Sequence, residues 1–385
     1  MESKTGVAHS RIDFLDGMRG LAILLVIGFH AYARYPDIMP FGNDFGTVPV
    51  FQYGWLGVQL FFLISGFVIF MTLEKCRGFF DFMLRRWLRL FPAMLICSVI
   101  VYLTFTFLMP GVRDVSLRAM LPGLTFIDPR IWSKLLGSAQ PILEGSFWSL
   151  YVEVRFYAFA GLLFFVLGEV AAIAGIAAMF FVAVSYEVLP ASTPGIVLHL
   201  LEIFRSWTSA EYFGWFAAGA LYYRFFQTRT TWLFIVASIL VVPAAFTTHQ
   251  TTMSLSMPTV MAALLIGTFF ALSVYGEWLR PILRSRLLLF IGYISYPLYL
   301  VHENIMVQLT LTLAKVATWM PLGVLPVLPI LAVIGLGWLI ARYCEPKLAA
   351  MIKPAYLRVR TILRIDRPVV RASNPTGAQL PGAGV

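Results

Sequence analysis

Charge is scarce in this chain. Of 385 residues only 12% are Asp, Glu, Lys or Arg, about half the share found in soluble globular proteins, and acids are the scarcer sign, 19 against 29 basic residues. Hydrophobic residues make up 59% of the chain and mean hydropathy is +0.82, which excludes an ordinary soluble protein. Cysteine is nearly absent. Cys76, Cys97 and Cys344 form no spacing motif, which argues against a disulfide framework or a cysteine zinc site. The chain also lacks G-x-x-x-x-G-K-[ST], G-x-S-x-G and H-E-x-x-H motifs and any internal repeat. No soluble catalytic domain is expected at either end.

What the chain has is long apolar runs. Stretches of spanning length occur at roughly 14–33, 53–73, 88–109, 147–167, 170–189, 209–226, 231–246, 256–276, 287–310 and 322–343. The expected fold is therefore an all-α polytopic bundle of about ten transmembrane helices, with Gly168-Glu169 turning a tight hairpin between two of them. With both termini in the cytoplasm, about 21 Lys and Arg fall inside and about seven outside, a three-to-one bias that supports this orientation. The net charge of +10 reflects that bias. The basic residues are scattered over separate helix ends, so nucleic-acid binding is the wrong explanation. A cleaved signal peptide is disfavoured because the first apolar run is long and contains Arg19. The expected division is a cytoplasmic segment 1–13, a membrane domain 14–346 with an extracytoplasmic loop at 110–146, and a tail 347–385 that is basic and then disordered.

Ionisable residues inside these runs mark the candidate site, since a charged side chain at the membrane centre costs about 2.5–3.5 kcal/mol on insertion scales. In the first run Arg19 and His30 share one helical face about 16 Å apart, with Asp16 on the same stripe. Ser149, Glu153 and Tyr157 form a stripe in the fourth run, Ser295, Tyr299 and His302 one in the ninth, and Gln59 and Ser65 lie in the second. Counted from the helix ends, His30, His302 and Glu153 reach a similar level in the outer half of the bilayer. Arg19 and the cluster Arg85, Arg86 and Arg89 collect at the cytoplasmic end. Arg86 and Arg89, on one face, suit phosphate binding, whereas Arg85 reads as a headgroup anchor. Tyr157, Ser149 and Ser65 also fit interhelical packing, and His302 a satisfied hydrogen bonder. Arg155 points away from Glu153 and is expected to pair elsewhere.

These segments resemble acyltransferase family 3, integral membrane O-acyltransferases that decorate bacterial surface glycans. Asp16-Gly17-Met18-Arg19-Gly20 followed by His30 resembles the opening Arg-x10-His signature, and Gly57 to Phe67 the second-helix motif. Arg86-Trp87-Leu88-Arg89-Leu90-Phe91-Pro92 is similar to an Arg-x-x-Arg-x-x-Pro segment. Trp148-Ser149-Leu150 with Glu153 and Phe156-Tyr157, then Ser295 to Leu300 with His302, then Glu345-Pro346, complete the pattern over about 330 residues. Gln59 departs from it, since members often carry an acid there.

The resemblance implies a multi-pass protein of the bacterial inner membrane that moves an acyl group to a hydroxyl of an extracytoplasmic saccharide. The expected donor is cytosolic acyl-CoA, foremost acetyl-CoA, with no permanently bound cofactor. Its phosphates would lie among Arg19, Arg86 and Arg89. His30 would act as base or as a covalent acyl carrier, and Glu153 would orient His30 or handle the acceptor proton. Partners would be membrane lipid and a glycan or lipid-linked saccharide. A proton-coupled secondary transporter is the alternative, because intramembrane His, Glu and Arg also serve proton relays. A metal site of His30, His302 and Glu153 is the remote third.

Overall fold

The computed structural model describes residues 12–108, 116–140, 142–190, 192–248 and 256–362. The segment before Ile12 and the tail beyond Ile362, including the stretch expected to be disordered, lie outside the described residues. All regular structure among the described residues is helical. The helices that place the site are α1 (Asp13–Tyr32), α2 (Gly57–Leu73), α3 (Phe79–Leu103), α4 (Trp148–Leu167), α5 (Glu169–Val188), α6 (Gly195–Thr208), α7 (Phe213–Thr228), α8 (Thr231–Phe246), α9 (Met257–Tyr275), α10 (Arg286–Val316), α11 (Val327–Leu339) and α12 (Glu345–Ile362). Each of the ten apolar runs falls on a helix. Among the described residues seven helical stretches are long and apolar enough to cross a membrane, while α8, apolar throughout, has only 16 residues. The chain is thus a polytopic helical protein.

Helix bounds depart from the runs where polar residues join a helix. α3 begins at Phe79, well before its apolar run, so Arg85, Arg86 and Arg89 stand on its first turns rather than in a loop. α10 runs 31 residues, past its apolar stretch and through Pro297. α6 occupies a stretch that hydropathy alone treats as outer loop, because its apolar residues alternate with polar ones at helical spacing. The turn at Gly168 is as expected: its φ of +87° suits glycine and reverses the chain between α4 and α5.

The segment between α3 and α4 includes two short helices, Met120–Thr125 and Pro129–Leu136. It is fastened to α4 by Asp128, which accepts from Arg130 and, at 2.8 Å, from Arg155 Nη2. Arg155 also reaches Ser209, so it pairs away from Glu153. Partial burial raises the Asp128 carboxyl, but the Arg130 and Arg155 contacts outweigh it and hold it below the usual range.

The tightest helix pair is α1 with α10, and glycine makes it possible. A Cβ on Gly292 would lie 1.9 Å from the Asp16 carbonyl oxygen, and one on Gly20 would lie 2.2 Å from that of Leu288. Ten residues further along both helices, His30 faces His302. Equal offsets mean that the helices run parallel in fixed register, and a rise of about 15 Å carries the glycine contact up to the imidazole contact. Gly292→Ala is therefore expected to destabilise the protein by about 1–3 kcal/mol and to part the two imidazoles. Thermal unfolding in detergent checks the first effect.

Candidate active site

Two polar constellations sit inside the bundle, joined by one tyrosine. The first is built on α1 and α10. His30 Nδ1 lies 2.9 Å from the Val26 carbonyl oxygen and 3.3 Å from His302 Nε2. His302 Nδ1 lies 2.8 Å from the Tyr299 carbonyl oxygen. A carbonyl only accepts, so these partners assign the proton on each ring to Nδ1. His302 Nε2 is then an acceptor toward His30, and the neutral His30 ring carries its lone pair on Nε2. That nitrogen stands 3.6 Å from Glu303 Oε1. Tyr35, just beyond α1, donates its phenol to the same oxygen. Burial pushes the Tyr35 phenol up, and the Glu303 charge adds to this, so it remains a donor. Glu303 is 5% exposed and its Oε2 has no hydrogen-bond partner in the protein among the described residues.

The second constellation lines a cavity of about 110 Å³ between α1, α2, α3, α4 and α10. Glu153 accepts from Ser65 and from Tyr157, each at 2.6 Å. Arg19, Arg86 and Arg89 line the same cavity, together with Ser149, Ser295 and Tyr299. Arg19 is paired with Asp16 at 2.6 Å. Arg86 donates to Thr72 and lies over the Tyr157 ring at 5.6 Å, and its buried Nε has no partner among the described residues. Three guanidinium groups, one of them paired with Asp16, stand against one lining carboxylate, so the lining carries an excess of positive charge.

Tyr299 belongs to both. Its hydroxyl is 2.7 Å from Ser149 Oγ, its ring lines the cavity, and the same ring packs against His302 at 5.5 Å between centroids. Sequence depth alone put Glu153 level with the two imidazoles. The structure brings His30 and His302 together but sets Glu153 in the arginine-lined cavity, and the carboxylate beside His30 is Glu303. The metal set of His30, His302 and Glu153 is accordingly not assembled, and no group of three or more His, Cys, Asp or Glu among the described residues is arranged to hold a metal ion. Gln59 is buried, its Oε1 has no hydrogen-bond partner among the described residues, and it does not line the cavity. Sequence reasoning misses Glu303 and Tyr35. Glu303 has a signal, an acid within an apolar run, and Tyr35 has none.

The polytopic helical bundle thus carries an imidazole-carboxylate cluster next to an arginine-lined cavity. The acyltransferase domain matches residues 12–342, and the chain belongs to that family. It is 28% identical over 157 residues to the O-acetyl transferase of Shigella phage Sf6, covering 38% of this chain and 44% of that protein. Identity to acyltransferase MdmB of Streptomyces mycarofaciens is 28% over 317 residues, 76% and 78% of the two chains. Peptidoglycan O-acetyltransferase OatA of Listeria monocytogenes serovar 1/2a is 26% identical over 169 residues, 41% of this chain and 25% of that one. The matched part is thus less than half of the phage relative and about a quarter of the Listeria one. No solved structure matches the chain.

Proposed function

We propose that the protein is an integral membrane O-acyltransferase that moves an acyl group, foremost acetyl, from acyl-CoA to a hydroxyl of an extracytoplasmic saccharide. The observation that carries this reading is the stacking of an imidazole-carboxylate cluster over an arginine-lined cavity along one pair of helices. The membrane placement is about ten spans in a bacterial inner membrane with both termini cytoplasmic, which puts the arginines at the cytoplasmic end and His30 toward the outside.

The CoA phosphates lie among Arg19, Arg86 and Arg89. The roughly 16 Å rise from Arg19 to His30 along α1 gives a pantetheine arm room to extend toward Tyr299. An acceptor hydroxyl about 2.8 Å from His30 Nε2 gives its proton to that nitrogen as its oxygen attacks the thioester carbonyl. The new ester C–O bond forms, the C–S bond breaks, and the proton passes from His30 to the departing thiolate. Glu303 offsets the imidazolium charge, and the His30 Nδ1 contacts keep Nε2 as the basic nitrogen. Glu153, held by Ser65 and Tyr157, faces the thioester end of the cavity. Tyr299 yields as the acyl group passes from one constellation to the other.

Purified protein supplied with acetyl-CoA labelled in the acetyl group, plus fragments of cell-wall or surface glycan, tests this reading. Free thiol released in step with label on the glycan is expected. Gradient-driven solute flux in vesicles with no thioester cleavage would instead make the protein a carrier.

A further inference from the structure

The short segment that leads into α4 grips α10 at the turn carrying the reactive groups. Glu144 is fully buried and holds Asn304 at two points: the backbone N–H at 2.8 Å through Oε1 and the side-chain Nδ2 at 3.0 Å through Oε2. The next residue, Gly145, lies flat against Glu303. A Cβ built there would stand 2.5 Å from Glu303 Oε2 and 2.6 Å from Oε1. The third, Ser146, donates to the Tyr299 carbonyl oxygen at 3.0 Å, the same oxygen that His302 Nδ1 contacts.

We infer that Glu144 is a positioning residue, which sets the Glu303 carboxylate against His30 by holding the peptide unit that follows Glu303. The chain of contacts is short. The Asn304 N–H belongs to the peptide that joins it to Glu303, so a carboxylate on that hydrogen fixes the plane from which the Glu303 side chain departs. Gly145, with no Cβ, then forms the wall that keeps the carboxylate at the 3.6 Å distance from His30 Nε2. Two backbone groups of α10, the Tyr299 carbonyl and the Asn304 amide, bond outside the helical ladder within one and a half turns of each other. A buried carboxylate on a main-chain amide is a charge-assisted bond, stronger and more directional than a neutral one. Small misplacements of reacting groups cost up to about 10²-fold in rate, so such a hold acts on the chemical step.

The groups that face Glu303 are His30 from α1, Arg34 and Tyr35 from the segment after it, and His302 on its own helix. The Glu144 charge also acts on Tyr35. This inference rests on the assignment of Glu303 as the partner of His30 under the proposed function.

A double-mutant cycle on the purified full-length protein tests it, with kcat and KM for acetyl-CoA measured per folded molecule. Glu144→Ala is expected to lower kcat about tenfold or more with KM within about twofold. Glu144→Gln, whose amide oxygen still accepts from the Asn304 N–H, should recover most of that loss. In a Glu303→Gln background, Glu144→Ala should cost less than about twofold, because coupled residues are not additive. A purely structural role gives less folded protein with unchanged kcat, or equal losses in both backgrounds, and either result overturns the inference. If Glu144→Ala does not accumulate, Asn304→Ala removes only the side-chain half of the contact. It should show a smaller kcat loss with the same dependence on Glu303, and a kcat equal to wild type would be fatal. An active His30→Ala protein would refute the proposed function itself. An inactive His30→Ala protein beside an unimpaired Glu144→Ala one refutes this inference alone.

Discussion

Alanine at His30 is expected to reduce acyl transfer by about 10³-fold while leaving the affinity for acyl-CoA within about twofold. A positioned general base contributes about 10²–10⁴-fold, and His30 lies outside the cavity that would hold the donor. Glu303→Gln removes the charge facing Nε2 but keeps the shape of the side chain, so a smaller loss of about 10²-fold is expected, again in kcat. The effect of His302 should be milder still, because it holds Nδ1 of His30 jointly with the Val26 carbonyl. Steady-state kinetics with acetyl-CoA, alongside donor binding by calorimetry, separates these outcomes. A large rise in KM with unchanged kcat in His30→Ala would place that residue in binding rather than in chemistry.

The paired substitution Arg86→Ala, Arg89→Ala is expected to do the reverse. Each charge-assisted hydrogen bond to a phosphate contributes about 1.5–3 kcal/mol, so losing two guanidinium groups should raise KM for acetyl-CoA by at least about 10²-fold. Transfer at saturating donor should fall little. Arg86 carries the sharper expectation, since its Nε is buried without a partner among the described residues. A donor with no phosphate at all, such as S-acetyl-pantetheine, should discriminate poorly between wild type and variant. Equal KM values for the two proteins would remove the arginine cavity from donor binding.

How far these positions could be read from the sequence follows from what each costs. His30, Arg19 and Glu153 announce themselves because a membrane-length run tolerates ionisable groups only where something receives them. The matching depth of His30 and His302 is likewise legible, because the two lie at similar distances along their own apolar runs. Depth arithmetic gives height but not direction around the bundle. Glu153 therefore reads as level with His30, whereas α4 turns it toward Ser65, Tyr157 and the arginines. Glu303 obeys the same cost rule as Glu153 and stands next to His302, so its signal is present in the sequence. Tyr35 and Glu144 lie outside the apolar runs, where a polar residue is ordinary. Only the tertiary contacts on Glu303 and Asn304 reveal them. The glycine contact that fixes α1 on α10 is similar: Gly20 and Gly292 are visible in the sequence, but their pairing is not.

The most direct test is sided. Vesicles carrying the purified protein in one orientation would receive labelled acetyl-CoA only on the face that bears Arg86 and Arg89 and the glycan acceptor only on the other. Label on the glycan with all CoA recovered on the donor side is predicted, and it should vanish in His30→Ala. Transfer that requires donor and acceptor on the same face, or that persists undiminished in His30→Ala, would contradict a route through the bundle by way of that imidazole.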